Sequence, residues 1–365
     1  MHRTRFLIPA AAALLAVTAG AAAGCGSGDK NDKGSGSGKG KTIALFLPES
    51  KTTRYEAFDR PLFQERVKQL CPDCKIIYGN ADQDPNKQQS QVEGALTQGA
   101  DVIALDAVDA KAVAPLVNQA RQKKIPVIAY DRLITGIGYA YFVSFDNVRV
   151  GQMQGQALLD ALNQRGTTAK GKIVMLNGAL TDPSSGDYKK GAHQVLDGKV
   201  QIGREFDTPD WSPDKAQQEM EQSITALGRD QIVGVLSAND GMAGGAIAAM
   251  KRAGYKQLPP ITGQDAELAA VQRILTGEQN MTVYLNIRAQ AYQSAELAVA
   301  LVKGDKPTAP TKVNNGTADI PAYMLAPTAV TKDKIKDTII KDGFYTADKI
   351  CTGEVAAACK SAGLQ

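Results

Sequence analysis

The chain has 365 residues, enough for two domains that each bury a core, and its 43% hydrophobic and 22% charged content places its body among globular proteins. Aromatic residues at 5% and two histidines, one of them His2, exclude a base-stacking nucleic-acid surface, a histidine metalloenzyme and a Ser-His-Asp hydrolase as economical readings. The formal charge of +4 is confined to the N-terminus: Arg3 and Arg5 face no acid, and Lys30, Lys33, Lys39 and Lys41 outnumber Asp29 and Asp32 by two, so residues 42–365 are neutral and have no electrostatic reason to seek DNA or RNA.

Residues 1–24 read as an export signal, with Arg3 and Arg5 before an apolar run from Phe6 to Ala23. The run ends in Ala22-Ala23-Gly24-Cys25, which resembles a bacterial lipobox with alanine where leucine is more usual; Cys25 is then the expected lipidation site. An uncleaved membrane helix is the competing reading, and the run is barely long enough for one. Residues 25–41 would be the anchor and a flexible Gly/Ser/Lys/Asp tether spanning on the order of 20 Å. The expected location is therefore extracytoplasmic, attached to the membrane through lipid alone. Gly40-Lys41-Thr42 is no phosphate loop, because Ser35 stands where the first glycine belongs and a strand follows instead of preceding.

From residue 42 short apolar runs alternate with helical patterns. Strands are predicted at 42–47, 75–78, 102–106, 126–130 and 141–145, with helices near 55–70, 86–98 and 110–123. The alternation restarts with strands at 172–176, 200–206, 232–236, 260–262 and 282–285, and helices near 186–197, 213–227, 241–253 and 266–275. A helix at 287–303, a strand at 320–325 and a helix at 331–341 follow. This is α/β, read as two doubly wound parallel-sheet lobes; the long C-terminal excursion fits an eight-stranded barrel poorly. Cys71 and Cys74 follow the first helix, and Cys351 and Cys359 lie in the tail 346–365. In an exported chain two local disulfides are the simplest account, against a redox-active or zinc-binding Cys-x-x-Cys.

Ligands in open parallel sheets sit beyond the carboxyl ends of the strands. Polar residues gather there: Asp131-Arg132, Asn239-Asp240 and Gln264-Asp265. Ala129-Tyr130-Asp131-Arg132, Ser144-Phe145-Asp146-Asn147, Ser237-Ala238-Asn239-Asp240, Gly263-Gln264-Asp265-Ala266 and Met281-Thr282-Val283-Tyr284 resemble bacterial sugar-binding receptors of ABC importers, the D-xylose-binding members most of all, and the likeness runs over about 42–345. It implies type I periplasmic-binding-protein architecture, with a three-crossing hinge near 144–147, 281–284 and 318–321. One lobe would comprise 42–145 plus 285–317, the other 146–284 plus 318–345.

The chemistry suits a sugar. Planar carboxylates, amides and guanidinium groups satisfy neighbouring hydroxyls in pairs, and aromatic rings cover C–H faces. By resemblance the contacts are Arg54, Tyr55, Asp131, Arg132, Asp182, Trp211, Asn239 and Asp265, with Tyr55 in place of the family's tryptophan. The loop of Asp182 departs from the family, with Ser184 in an asparagine's place, and Leu285 stands where the D-xylose-binding members carry lysine. Asp240 is read as the cap of the following helix and Asn239 as the ligand contact. Gly241, Gly244 and Gly245 are read as permitting close helix–sheet packing, and His193 as structural. Asp82-Gln83-Asp84-Pro85 has the alternation of a calcium loop but lacks its glycine and glutamate, so Asp84 is read as a helix cap.

These readings imply a receptor, not an enzyme. It would need no cofactor or metal, act as a monomer, and hand a monosaccharide, D-xylose favoured, to ABC permease subunits. A sugar sensor serving a kinase or chemoreceptor, and a secreted carbohydrate-active enzyme using Asp131, Asp182 or Asp265, are the alternatives.

Overall fold

A computed structural model describes residues 40–364; the export signal, Cys25 and the tether to residue 39 lie outside the described residues, as does Gln365. The first five strands are β1 (Thr42–Leu47), β2 (Lys75–Asn80), β3 (Val102–Leu105), β4 (Val127–Tyr130) and β5 (Tyr141–Phe145). Apart from β2 they are apolar runs buried on both faces, which is what parallel strands covered by helices require. The cover includes α1 (Arg60–Leu70), α2 (Pro85–Gln98) and α3 (Ala114–Gln122). Asp84 caps α2 by accepting from the Asn86 N–H at 2.8 Å, Pro85 opens its first turn and Gly99 closes it at φ 79°. In the calcium-like stretch Asp84 serves that cap while the Asp82 carboxylate is taken by Ser50 and Lys87, and no acidic, histidine or cysteine cluster able to hold a metal occurs among the described residues.

The chain then builds a second sheet: α4 (Asn147–Gln164), β6 (Lys172–Asn177), α5 (Pro183–Leu196), β7 (Gln201–Asp207), α6 (Pro213–Leu227), β8 (Ile232–Ser237), α7 (Asp240–Arg252), α8 (Leu268–Thr276) and β9 (Thr282–Tyr284). Strands run in the order β7-β6-β8, and single parallel bridges, Val235 to Ile261 and Gln264 to Val283, carry the sheet toward β9. The strand expected at 260–262 is only a bridge, since Pro260 has no N–H to give a ladder. Sequence reading passed over α4, although Val150, Gln154, Leu158 and Leu162 recur on one buried face. Gly151 lets α4 lie against α5, because a Cβ there would overlap the Tyr188 carbonyl. Gly245 likewise seats α7 on Pro213 of α6, so that glycine serves helix–helix and not helix–sheet packing.

After α9 (Ile287–Val302) come β10 (Thr311–Asn314), β11 (Asp319–Leu325) and β12 (Thr328–Val330). β11 pairs in parallel with β5, giving the first sheet the order β10-β11-β5-β4-β3-β1-β2, while β12 pairs antiparallel with β9. The third crossing therefore follows Leu325, not 318–321, and 319–325 belongs to the first sheet. An apolar strand with alternate faces buried completes a sheet edge more readily than it turns away from it. All three crossings lie together: the Asp146 N–H donates to the Leu325 carbonyl at 3.2 Å, and Leu285 precedes α9. The helix expected at 331–341 is a 3₁₀ turn, Lys332–Lys334, followed by a π turn, Lys336–Ile340.

Cys71 pairs with Cys74, and Cys351 with Cys359, at Cα separations of 5.3 and 5.7 Å, which sets aside the zinc reading. The second bridge staples α10 (Ala347–Ile350) to α11 (Ala356–Ser361) over α8, where the Gln272 amide donates to the Ile350 carbonyl at 3.0 Å. Closing a loop across a separation of 8 residues restrains the unfolded chain by about 2–3 kcal/mol. The double substitution Cys351→Ala/Cys359→Ala is expected to lower stability by that amount in chemical denaturation and to move the first cut in limited proteolysis into 346–364.

Candidate functional site

Most site side chains stand in the segments that follow the carboxyl ends of the strands. Three of these residues use a backbone that side chains rarely adopt: Asp131 at φ 63°, Trp211 at φ 53° and Asp265 at φ 90°. Such residues cost about 1–3 kcal/mol each and persist only where neighbours hold them. Here the Asp131 N–H donates to the Val143 carbonyl and the Asp265 N–H to the Val283 carbonyl, both at 2.9 Å.

The two sheets meet over one cavity, with about 290 Å³ of atom-free space. All eight residues singled out in the sequence line it: Arg54, Tyr55, Asp131 and Arg132 from the first sheet's side, Asp182, Trp211, Asn239 and Asp265 from the second's. Thr52, Tyr188 and Gln264 complete the lining. Gln264 stands in a strand-end motif the sequence displays, whereas Tyr188 lies mid-helix and Thr52 before any element, where no pattern marks them.

Arg54 is 3% exposed and enters from a π turn, Tyr55–Asp59. That wider turn puts Asp59 within reach of the guanidinium, which donates to it through Nε at 2.9 Å and Nη2 at 2.8 Å. Tyr130 donates its hydroxyl to Asp59 as well. Nη1 faces Asp131 Oδ1 at 3.2 Å, and Nη2 also meets Gln290 Oε1 at 2.6 Å. The Tyr55 hydroxyl reaches the other Asp131 oxygen at 3.3 Å.

Arg132, 1% exposed, lies between the lobes. Its Nη1 donates to the Ala107 carbonyl at 3.1 Å, and Nε sits 3.1 Å from Asp182 Oδ2 and 3.5 Å from Asp106 Oδ1. Asp106 is fully buried at the end of β3, and neither of its oxygens takes a hydrogen bond. The strand-end rule that found Asp131 would have found it too. Further contacts seal the rim: Thr53 N–H to Glu267 Oε1 at 3.3 Å and Ala110 N–H to the Thr181 carbonyl at 3.1 Å. The lobes are thus closed on each other.

In the second lobe Trp211 lies flat on Gly178, where any Cβ would overlap the indole, and Tyr188 meets it edge-on at 6.2 Å. Trp211 Nε1 and Gln264 Oε1 are buried without a partner within the protein. The roles expected for Asn239 and Asp240 need correction. Asn239 is itself the cap of α7, its Oδ1 accepting from the Met242 N–H at 2.9 Å, which leaves the amide nitrogen for the cavity. Asp240 is wholly buried instead, accepting from Gln279 at 2.7 Å, Thr282 at 2.9 Å and the Glu267 N–H at 2.9 Å. Asp182 caps α5 through the Ser184 N–H at 2.9 Å, and Ser184 turns its hydroxyl to Asn147. Leu285 is buried in the core and lines no part of the cavity. His193 is held by Asp197 at 2.7 Å and Glu205 at 3.1 Å, away from the cavity lining.

Burial decides the electrostatics. It pushes the Asp265 carboxyl up to about 7, against the pull of Arg54 and helped by Glu267 and Asp131. It also raises Asp106 and Asp182, outweighing Arg132 in each case, and raises Asp240 with help from Glu267. Both arginines stay charged. The cavity thus offers two cationic forks, the carboxyls of Asp131, Asp182 and Asp265, the amides of Asn239 and Gln264, and the rings of Tyr55, Tyr188 and Trp211.

Residues 43–306 match the family described as periplasmic binding protein domain. The D-xylose-binding periplasmic protein of Escherichia coli is 34% identical over 313 residues, covering 84% of this chain and 92% of that one. The multiple sugar-binding periplasmic receptor ChvE of Rhizobium radiobacter is 32% identical over 294 residues, 75% and 82% of the two chains. Among solved structures, an ABC transporter solute binding protein of Clostridium phytofermentans with bound β-D-glucose superposes with a TM-score of 0.78 at 27% identity, covering 85% of this chain and all of that one.

The raised carboxyls set a direction for stability. A group whose folded pKa exceeds its unfolded value binds extra protons in the folded state, so its contribution is full below pH ~4 and is lost as pH rises through the folded value, about 7 for Asp265. The ligand-free protein is therefore expected to melt several degrees higher at pH 5.5 than at pH 8, read by scanning calorimetry. Asp265→Asn should flatten part of that slope.

Proposed function

The chain belongs to the periplasmic binding protein family, and from that premise we propose that it is the extracytoplasmic receptor of an ABC sugar importer, capturing one monosaccharide between its lobes, D-xylose first among candidates. The observation that carries the reading is the cavity itself, in which eleven polar or aromatic residues from the two sheets' sides converge. The 34% identity to a D-xylose-binding protein supports the choice of sugar. Leu285 is buried and lines no part of the cavity, so the charged donor that the resemblance implies at this position is absent from the contact set.

Recognition divides between the lobes. Asp131, Arg54 and Arg132 form one half-site, in which Arg54 and Asp131 are fixed by contacts within the first lobe and Arg132 reaches across to Asp182. Asp182, Asn239, Asp265 and Trp211 form the other. Hydroxyls bridging the halves would take over polar contacts now made between lobes, such as Arg132 with Asp182, and bias the hinge toward closure. The closed surface is what a permease would read. Cys25, outside the described residues, would tether the receptor beside that permease.

Trp211 is the only tryptophan, so emission reports the site directly. Titration of the protein beginning at Cys25 with D-xylose, L-arabinose, D-ribose, D-glucose and D-galactose is expected to give saturation by D-xylose at micromolar concentration or below. Asp131→Ala should weaken that affinity roughly 10- to 150-fold, the worth of a charged hydrogen bond at ~1.5–3 kcal/mol. Saturation by another sugar alone would overturn D-xylose and keep the receptor. Silence toward every sugar in both emission and calorimetry would overturn the sugar reading.

A further inference from the structure

We propose that Gln290, outside the cavity lining, is a positioning residue that fixes the Arg54–Asp131 half-site and ties it to the hinge; the inference rests on the sugar-receptor reading above. Gln290 is fully buried in the first turn of α9, five residues after the crossing at Leu285. Its Oε1 accepts from Arg54 Nη2 at 2.6 Å, and its Nε2 donates to Asp131 Oδ1 at 2.9 Å and to the Val143 carbonyl at 3.3 Å. The amide cannot be reversed: its oxygen faces a guanidinium, its nitrogen a carboxylate and a carbonyl.

The consequence is an assignment of lone pairs. Gln290 and Arg54 both donate to Asp131 Oδ1, so Oδ2, touched only by the Tyr55 hydroxyl at 3.3 Å, is the oxygen left for a ligand. Asp59 takes the Nε and Nη2 edge of Arg54 and Gln290 shares Nη2, which leaves Nη1 turned toward the cavity side with Asp131. A methylene side chain of the same length would satisfy neither neighbour. Because α9 packs on α1 and the first sheet, the arrangement travels with the first lobe and holds the half-site ready before a sugar arrives. The charged and titratable groups facing position 290 are Arg54 with Asp59 behind it, from the π turn, and Asp131 at the end of β4.

The test compares Gln290→Leu and Gln290→Glu with the unaltered chain, using D-xylose calorimetry at pH 5.5 and 8 and stopped-flow emission of Trp211. Gln290→Leu should weaken binding at least tenfold, mainly through faster release, with the same factor at both pH values. Gln290→Glu sets a carboxylate against Asp131, so its deficit should be larger at pH 8 and shrink severalfold at pH 5.5, which a merely space-filling role would not produce. Affinities of both variants within twofold of the unaltered chain, or deficits of Gln290→Glu equal at both pH values, would overturn the assignment. If the unaltered chain ignores D-xylose, the reading of the ligand falls, and nitrogen-15 NMR of the sugar-free protein still decides on Gln290. Rotation about the Arg54 Cζ–Nη2 bond should be slow in the unaltered chain and faster in Gln290→Leu; equal rates would overturn the proposal.

Discussion

Two guanidinium groups sunk where water cannot reach them govern the rest of the cleft. An isolated buried charge is so costly that each must be surrounded by oxygen acceptors, and losing one acceptor leaves the charge uncompensated at a cost of several kcal/mol. For Arg54 the acceptors are Asp59, Asp131 and Gln290, all carried by one lobe. For Arg132 they are the Ala107 carbonyl and Asp106 on one side and Asp182 on the other. The two arginines therefore differ in kind. Arg54 is a finished fixture, whereas Arg132 is completed by the opposite lobe or by whatever replaces it.

That difference gives the hinge something to read. The three passages of the chain between the sheets lie side by side, Asp146 against Leu325 and Thr328 opposite Tyr284. Polar contacts join the facing edges of the lobes, Arg132 with Asp182, Thr53 with Glu267 and Ala110 with Thr181. Beside them Phe58 of the first lobe stacks on Phe344 at 4.2 Å and meets Tyr345 edge-on, so the closed form also carries an apolar contact. The positive-φ turns at Asp131, Trp211 and Asp265 belong to the same economy. Strain accepted at the strand ends points the side chains across the gap, and backbone bonds from neighbouring strands keep them there.

Strand-end polarity was the strongest signal in the sequence. Apolar runs of four to six residues could only be buried parallel strands, and the polar residues closing them could only face the crevice; Asp131, Arg132, Asn239 and Asp265 were legible on those grounds together with family likeness. Asp182 and Trp211 needed the likeness, because their loops carry no periodicity. The cap of α7 was misassigned to Asp240, since either residue can cap a helix and only the packing of Gln279, Thr282 and Glu267 around Asp240 shows that Asn239 takes that role while lining the cavity. Gln290 carried no signal, being one of two glutamines on a helix that also bears Arg288, Ser294 and Glu296.

Composition, alternation of apolar runs and their polar termini determined by themselves an α/β chain of two sheets and a neutral body with a polar crevice. These depend on short-range facts: which residues can be buried on both faces, and which cannot be buried at all. Tertiary structure alone decided that 319–325 joins the first sheet, that Arg54 is fixed by a residue more than two hundred positions away, and that Arg132 looks to the other lobe. Pairing between distant segments depends on the free energy of the whole assembly, in which one exposed edge or one uncompensated charge outweighs any local preference.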